Sequence, residues 1–471
     1  MADCWASDMD YVIDLSALPM PPPRTNGPIL GNALALLRDP LAFLRAAHVE
    51  QGPIFEVHAA TRRFVVLAGR EANRFVGREG RELLESRSFW GRLTERRECP
   101  HAILASDGVP HRTQRKHYAD VLSRKIVDAQ RDGCDALIRD SFGASERQLS
   151  PRVAVQDQTR LLIARLVHRC LTDGAAPIPE PTARALMEVF RWETNTLLLG
   201  KWPKLALLAP AYRRSLARAE GFIDELVARD LEAGGRATDQ ADQADQGLGG
   251  WFERIRQGRE RYPELFTAGD VRFATLLPFV AGVDTVGATL GFVLYELFRD
   301  ADLHAAVRAE VEAAYANGVP DSATLSQQPT LHGLVLECLR LYPAAFAMYR
   351  GAARAFEFAG HRVAAGTEIA VFTSATHFDA RYFPEPERLD VTRHAPPRSE
   401  SRQKHVFMPY GGGPHVCLGA GMGEAMLLLA TAGIVRHHDL VLADPKRRWK
   451  PSFDPSLTLD ARVQLLRPGV A

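Results

Sequence analysis

Tyr410-Gly-Gly-Gly-Pro-His-Val-Cys-Leu-Gly419 places one cysteine at the end of a glycine run. Gly411, Gly412 and Gly413 can take backbone angles closed to other residues, and without Cβ atoms they let the main chain lie against a large flat group. Pro414 stiffens the turn. From Ala420 to Ala430 the apolar residues recur at helical spacing, so Cys417 stands just ahead of or within the first turn of a buried helix. Unpaired amides at a helix start favour an anion, hence a thiolate over a thiol. On the residues alone, an inert buried cysteine stays as open as a cofactor ligand.

The remainder of the chain narrows the choice. Its 471 residues are 46% hydrophobic and 24% charged, the balance of an ordinary globular protein with material for a large core. Fifty-eight basic residues against 57 acidic ones leave no net field to draw nucleic acid or an anionic membrane. Six cysteines are scattered without CxxC pairs, which argues against a disulfide framework or a zinc site and for a reducing compartment. Met1 to Leu18 holds Asp3, Asp8, Asp10 and Asp14 and no long apolar stretch, so neither a signal peptide nor a membrane anchor is expected. A cytoplasmic location follows as the expectation.

Along the chain, Pro21-Pro22-Pro23 reads as stiff and extended, Pro40 to His48 as a helix, and Ile54–Val57 with Arg63–Leu67 as a hairpin. Gly80 to Ser106 reads as irregular. Gln158 to about Leu231 is largely helical and carries Phe190, Trp192 and Trp202. Residues 234–250 hold a repeated Asp-Gln-Ala unit and read as a low-complexity internal loop. Strands at Glu357–Phe358 and Glu368–Phe372, with turns at Gly360 and Gly366, add to a small sheet.

Three further motifs carry chemistry. His111 and Arg115 lie four apart, on one helix face; a solvated basic face would look the same. A helix from about Asp270 to Arg299, about 45 Å long, opens on Thr267 and Asp270 spaced as a capping box. Inside it stands Ala281-Gly-Val-Asp-Thr285, an acid beside a hydroxyl after a glycine that lets the helix bulge. The threonine could instead bond its own helix, yet Gly-x-Asp-Thr in mid-helix costs propensity and so points to function. Glu337-Cys-Leu-Arg340 is an i,i+3 pair among leucines, hence a buried ion pair in need of further partners.

Taken in order, these four motifs resemble the cytochrome P450 family, the haem-thiolate monooxygenases; Tyr410 replaces the usual phenylalanine, and its hydroxyl needs a partner if buried. The resemblance implies a mainly α fold, one domain over 1–471, with a large helical part and a small β-rich edge to which 19–75 and 350–375 contribute. It implies haem b as cofactor, Cys417 as axial ligand of the iron, and His111, Arg115, Arg350, His415, Tyr410 and Gly411 as the residues that hold the haem. Asp284 and Thr285 would be the catalytic proton carriers for O2, and Glu337, Arg340 and Arg393 a structural triad, with Arg388 in reserve. Phe89, Trp90, Phe190, Phe279, Ala281, Phe346 and Met348 would line a pocket for an apolar small-molecule substrate. No nucleotide fingerprint is present, so electrons would come from a separate ferredoxin and NAD(P)H-dependent reductase. Arg112, Arg115, Lys116, Arg402 and Lys404 would dock an acidic donor. A peroxide-driven or isomerising relative would share Cys417 but usually lacks the acid and threonine, and a haem-binding sensor would need neither.

Overall fold

The computed structural model describes residues 15–24, 30–142, 153–172, 176–232, 250–446, 449, 452–460 and 464–466. Apart from Gly250, the low-complexity stretch 234–250 lies outside them, as does most of Gly27–Gly31. Helices dominate, with the sheet at one edge. In chain order the helices that position the site are α1 (Pro40–Gln51), α2 (Arg87–Arg96), α3 (Gly108–His117), α4 (Val155–Leu171), α5 (Glu180–Glu193), α6 (Pro210–Leu226), α7 (Ala268–Arg299), α8 (Pro329–Leu341) and α9 (Ala420–His437). The strands used below are β1 (Pro23–Arg24), β2 (Ile54–Ala59), β3 (Arg62–Ala68), β4 (Leu84–Glu85), β5 (Met348–Ala352), β6 (Phe356–Phe358), β7 (His361–Val363), β8 (Glu368–Phe372), β9 (Ser452–Phe453) and β10 (Leu457–Thr458).

Helix α7 is the axle. Thr267 and Asp270 close a capping box at its start, each side chain taking the other residue's amide. Its 32 residues average strongly apolar, and α4, α9, α8 and α6 pack around it. A helix apolar all round belongs in a core. Both α7 and the segment Gly413–His437 are long and apolar enough to cross a membrane, but most of each is buried inside the fold.

Sheet order is β1-β2-β3-β8-β5-β4, with β2/β3 antiparallel, β3/β8 parallel and β8/β5 antiparallel. Val65, Val66, Leu67, Ile369, Ala370 and Val371 are buried on both faces, which makes β3 and β8 its centre. Two expectations are corrected here. Phe356–Phe358 pairs with His361–Val363 in a separate hairpin and does not join the main sheet. Gly80 to Ser106 is not irregular: it contains β4 and α2, whose buried Leu93 and Thr94 one helical step apart fix it to the core.

Candidate functional site

The glycine run forms a tight loop before α9. Gly413 has φ +70°, and a Cβ there would stand 2.5 Å from the Val76 carbonyl oxygen, so no larger residue fits. Gly411, at φ +69°, brings the chain against the Met348 sulfur. The Cys417 amide donates to the Tyr410 carbonyl at 3.0 Å, and Arg115 from α3 reaches across to the Val416 carbonyl at 2.5 Å. Cys417 therefore sits two residues before the Gly419 N-cap, with its own surface open. Burial nonetheless pushes its thiol up, and the Gly419 amide and Arg115 pull it down by less. An open surface with the electrostatics of burial describes a residue in a cleft. The Gly419 amide thus acts in the expected direction, toward the thiolate, burial acts against it, and coordination to a cation would supply the rest of the ionisation.

Around the loop, two guanidiniums and two imidazoles converge near one carboxylate, Asp107. The His111 ring stacks on His415 at 3.9 Å and 29°, and His415 Nε2 meets Asp107 Oδ1 at 3.1 Å. Burial, then the charges of His415 and Arg115, lower His111 to about 4. His415 is lowered too, by burial, despite its carboxylate partner. Arg350 is 9% exposed, donates to the Tyr349 carbonyl at 2.6 Å and approaches the Met348 sulfur at 3.9 Å. Among the described residues it has no ion-pair partner, and burial lowers it to about 10. A buried guanidinium without a carboxylate is costly. His111, Arg115, His415 and Arg350 with the single Asp107 thus fit an anionic group beside Cys417, such as the propionates of a haem.

Helix α7 carries the other half. Ala281 is exposed within this otherwise buried helix, so the helix borders a cleft there. Thr285 Oγ1 donates to the Ala281 carbonyl at 2.8 Å. Asp284 is buried; its Oδ1 accepts from Arg160 of α4 at 2.5 Å, while its Oδ2 has no partner among the described residues. The expected bulge at Gly282 is absent, and α7 runs as an unbroken α-helix. Gly423 of α9 lies against Val286 of α7, 3.4 Å from where its Cβ would be, so the two helices cross one residue from Thr285.

Beneath the loop, Glu337 takes Arg340 on both oxygens at 2.6 and 2.9 Å, the Asp390 amide at 2.9 Å, His394 at 3.1 Å and Arg393 at 3.4 Å. Arg388 contributes only its carbonyl. Burial pushes the Glu337 carboxyl up, but the hydrogen bonds from Arg340 and His394 outweigh it and hold it at about 2. Arg340 also donates to the His377 carbonyl at 2.9 Å, and His377 Nε2 accepts the Met408 amide at 2.9 Å, which carries the network to the loop.

Sequence reasoning missed His377, His394, Asp107 and Arg160. Each is a lone polar residue whose partner is distant in the chain, so no local pattern marks it. Two pocket expectations are also corrected. Phe279 is 1% exposed and packs on Phe222 and His168, filling the core between α4, α6 and α7. Met348 lies against the glycine run, where its sulfur meets the Gly412 amide at 3.5 Å. Phe89 stacks on Tyr349 at 4.7 Å and touches Trp90 edge-on; Phe190 and Phe346 are partly buried. The Tyr410 hydroxyl is buried without a partner among the described residues, and burial with the nearby Glu424 and Cys417 pushes it up.

Comparison with known proteins bears on the family and the fold. The family model described as Cytochrome P450 matches residues 21–466. Cyclooctat-9-en-7-ol 5-monooxygenase of Streptomyces melanosporofaciens is 27% identical over 463 residues, 94% of this chain and 93% of that protein. Sterol 14alpha-demethylase of Mycobacterium tuberculosis is 23% identical over 454 residues, 92% of each. Among solved structures, a cyanobacterial protein with bound retinoic acid superposes with a TM-score of 0.76 at 20% identity, covering 96% of this chain and 99% of its own.

Proposed function

This chain belongs to the cytochrome P450 family, and from that premise we propose that it inserts one oxygen atom from O2 into an apolar small molecule, using haem b and a separate ferredoxin and reductase. It is an oxidoreductase of the monooxygenase kind. The observation that carries the reading is the cluster of two guanidiniums and two imidazoles around Cys417, in which buried Arg350 has no ion-pair partner among the described residues, close to the crossing of α9 with α7.

When bound, a haem supplies an iron that activates dioxygen with electrons delivered one at a time. Cys417 would hold the iron through its sulfur. His111, Arg115, Arg350 and His415 would hold the carboxylates, with charge-assisted hydrogen bonds that relieve the buried Arg350. Asp284 Oδ2 is free to take a proton, and its bond to Arg160 offers an alternative position for the side chain. Thr285 passes a proton from Oγ1 once it gives up the Ala281 carbonyl. The gated supply of two protons separates a monooxygenase from a sensor.

Phe89, Trp90, Phe190, Phe346 and the open side of Ala281 would present an apolar wall. The relatives named for cyclooctat-9-en-7-ol and for a sterol, and the structure holding retinoic acid, support a terpene, steroid or fatty-acid-like substrate. Arg112, Lys116, Arg402 and Lys404 are exposed, and by the family resemblance they would lie on the cysteine side and meet an acidic donor. We place the enzyme in the cytoplasm.

The test is reconstitution with NADPH, a bacterial ferredoxin and reductase under labelled dioxygen, over a panel of terpenoids, sterols and fatty acids. One labelled oxygen atom per product, and a reduced carbon monoxide band of the thiolate type, are expected. Unlabelled product or a histidine-type band overturns the reading.

A further inference from the structure

We propose that Asp454 is a positioning residue for substrate binding, the point at which the segment from the end of α5 to Trp202, acting as a lid over the pocket, is clasped to the hairpin β9–β10 beside the pocket wall. The inference rests on the reading of Phe346 as part of that wall.

Three groups of one short lid segment reach the hairpin tip. Arg191 of α5 donates to Asp454 Oδ2 at 3.0 Å. Asn195 donates to Asp454 Oδ1 at 2.6 Å. Lys201 donates to the Phe453 carbonyl at 2.7 Å. Both carboxylate oxygens and the neighbouring carbonyl are thus engaged from one side.

The local backbone explains how residues ten apart converge. Helix α5 continues into a wide π turn over Thr194–Leu198. The Asn195 carbonyl then accepts the Lys201 and Trp202 amides at 2.7 and 3.3 Å, which folds Lys201 back over the hairpin. π turns of this kind cluster at functional sites. Arg191 is held ready by Glu188 at 3.1 Å and lies over the Trp202 ring at 5.2 Å. Burial lowers Lys201, and Asp454 opposes that shift.

The hairpin meets the proposed pocket wall through Phe453. Phe453 meets Phe346 edge-on at 5.9 Å, and Leu457, Thr458 and Leu459 are buried where β10 packs against α7. The base is therefore fixed to the core while the tip holds the lid. The same segment is tied elsewhere by Arg62 of β3, which donates to the Leu198 and Leu199 carbonyls, and by buried Glu193, which accepts from Arg97 at 2.7 and 3.2 Å and from Tyr212 of α6 at 2.8 Å; the Asp454 clasp is the tie that reaches the hairpin. Asp454 and Arg191 are both partly exposed, so either bond alone is weak. Such bonds are too weak to set global stability and strong enough in concert to set how often the lid opens.

The experiment uses the haem-loaded full chain with two probes, imidazole and the bulkier 4-phenylimidazole. Stopped-flow spectroscopy reads their dissociation, and amide hydrogen exchange reads residues 191–202. Asp454→Ala should release 4-phenylimidazole about tenfold faster, equivalent to about 1.4 kcal/mol, with imidazole release changed by less than about twofold. Exchange in 191–202 should quicken by a similar factor, and Asp454→Glu should restore part of both. The lid-side variant Arg191→Gln/Asn195→Ala should reproduce the effect and add little to Asp454→Ala; it also serves if the hairpin variant fails to fold. Equal acceleration of both probes, unchanged exchange, or fully additive effects overturns the proposal. The carbon monoxide band of the same samples tests the haem-thiolate reading separately.

Discussion

The two sides of the molecule that meet at Cys417 and at Thr285 use their charges in opposite ways. Beneath Cys417, Glu337 and Arg340 are both 0% exposed, and Glu337 accepts from Arg340, His394 and the Asp390 amide while Arg340 fills three carbonyls. On α7, Asp284 is held by Arg160 through Oδ1, while its Oδ2 has no partner among the described residues and the Thr285 hydroxyl bonds its own helix. A satisfied buried network resists rearrangement, because any movement strands a charge in low dielectric. On α7 the Asp284 Oδ2 and the Thr285 hydroxyl can each take a new partner while the Arg160 bond to Asp284 Oδ1 stays in place. The contrast suits a scaffold that must hold a metal ligand still and let protons move.

Several measurements sharpen or break this contrast. Cys417→Ser should abolish the thiolate-type carbon monoxide band entirely; a retained band would move the ligand elsewhere. Glu337→Gln leaves Arg340 buried beside a neutral partner and should cost about 3–5 kcal/mol in urea unfolding. A loss under about 1 kcal/mol would show that the network is no more rigid than the distal pair. Thr285→Ala should leave folding alone and lower product per electron on the order of 10²; unchanged coupling would deprive Thr285 of its role.

Smaller effects concern protons and one hydroxyl. Burial, with the Arg340 charge, lowers His377 from 6.5 to about 3. Its folded value lies below its unfolded value, so the unfolded chain takes up the proton first. The stability it contributes is complete above about pH 6.5 and falls as the pH drops from there toward about 3. Urea midpoints at pH 7.5 and 5 should show the decline, and His377→Gln should flatten it. A steeper decline in that variant would assign the effect to another group. Tyr410→Phe removes a buried hydroxyl without a partner and should raise stability by about 1 kcal/mol; destabilisation of that size would mean the hydroxyl is bonded.

Much of this was legible in the chain. The capping box at Thr267 and Asp270, the β2/β3 hairpin and the positive-φ glycine turn before α9 are features of short stretches of chain, decided by backbone angles and by pairing between neighbouring segments. The helix α2 was misread because its mixed Arg87–Arg96 sequence has no clear apolar stripe, and packing of Leu93 and Thr94 overrides that. Phe279 and Met348 were misplaced because aromatic and sulfur side chains look alike in core and pocket, and only the neighbours distinguish them.

The order and identity of the cysteine loop, the Asp284-Thr285 pair and the Glu337-x-x-Arg340 turn determined family and fold class, since each is a short-range pattern written in adjacent residues. The tertiary structure alone decided that Arg160 holds Asp284, that Arg350 has no ion-pair partner among the described residues, and that Asp454 bonds Arg191 and Asn195. Those contacts close over long stretches of chain, and charge partners so far apart are selected by the packing of α4, α5 and α7, which no local spacing encodes.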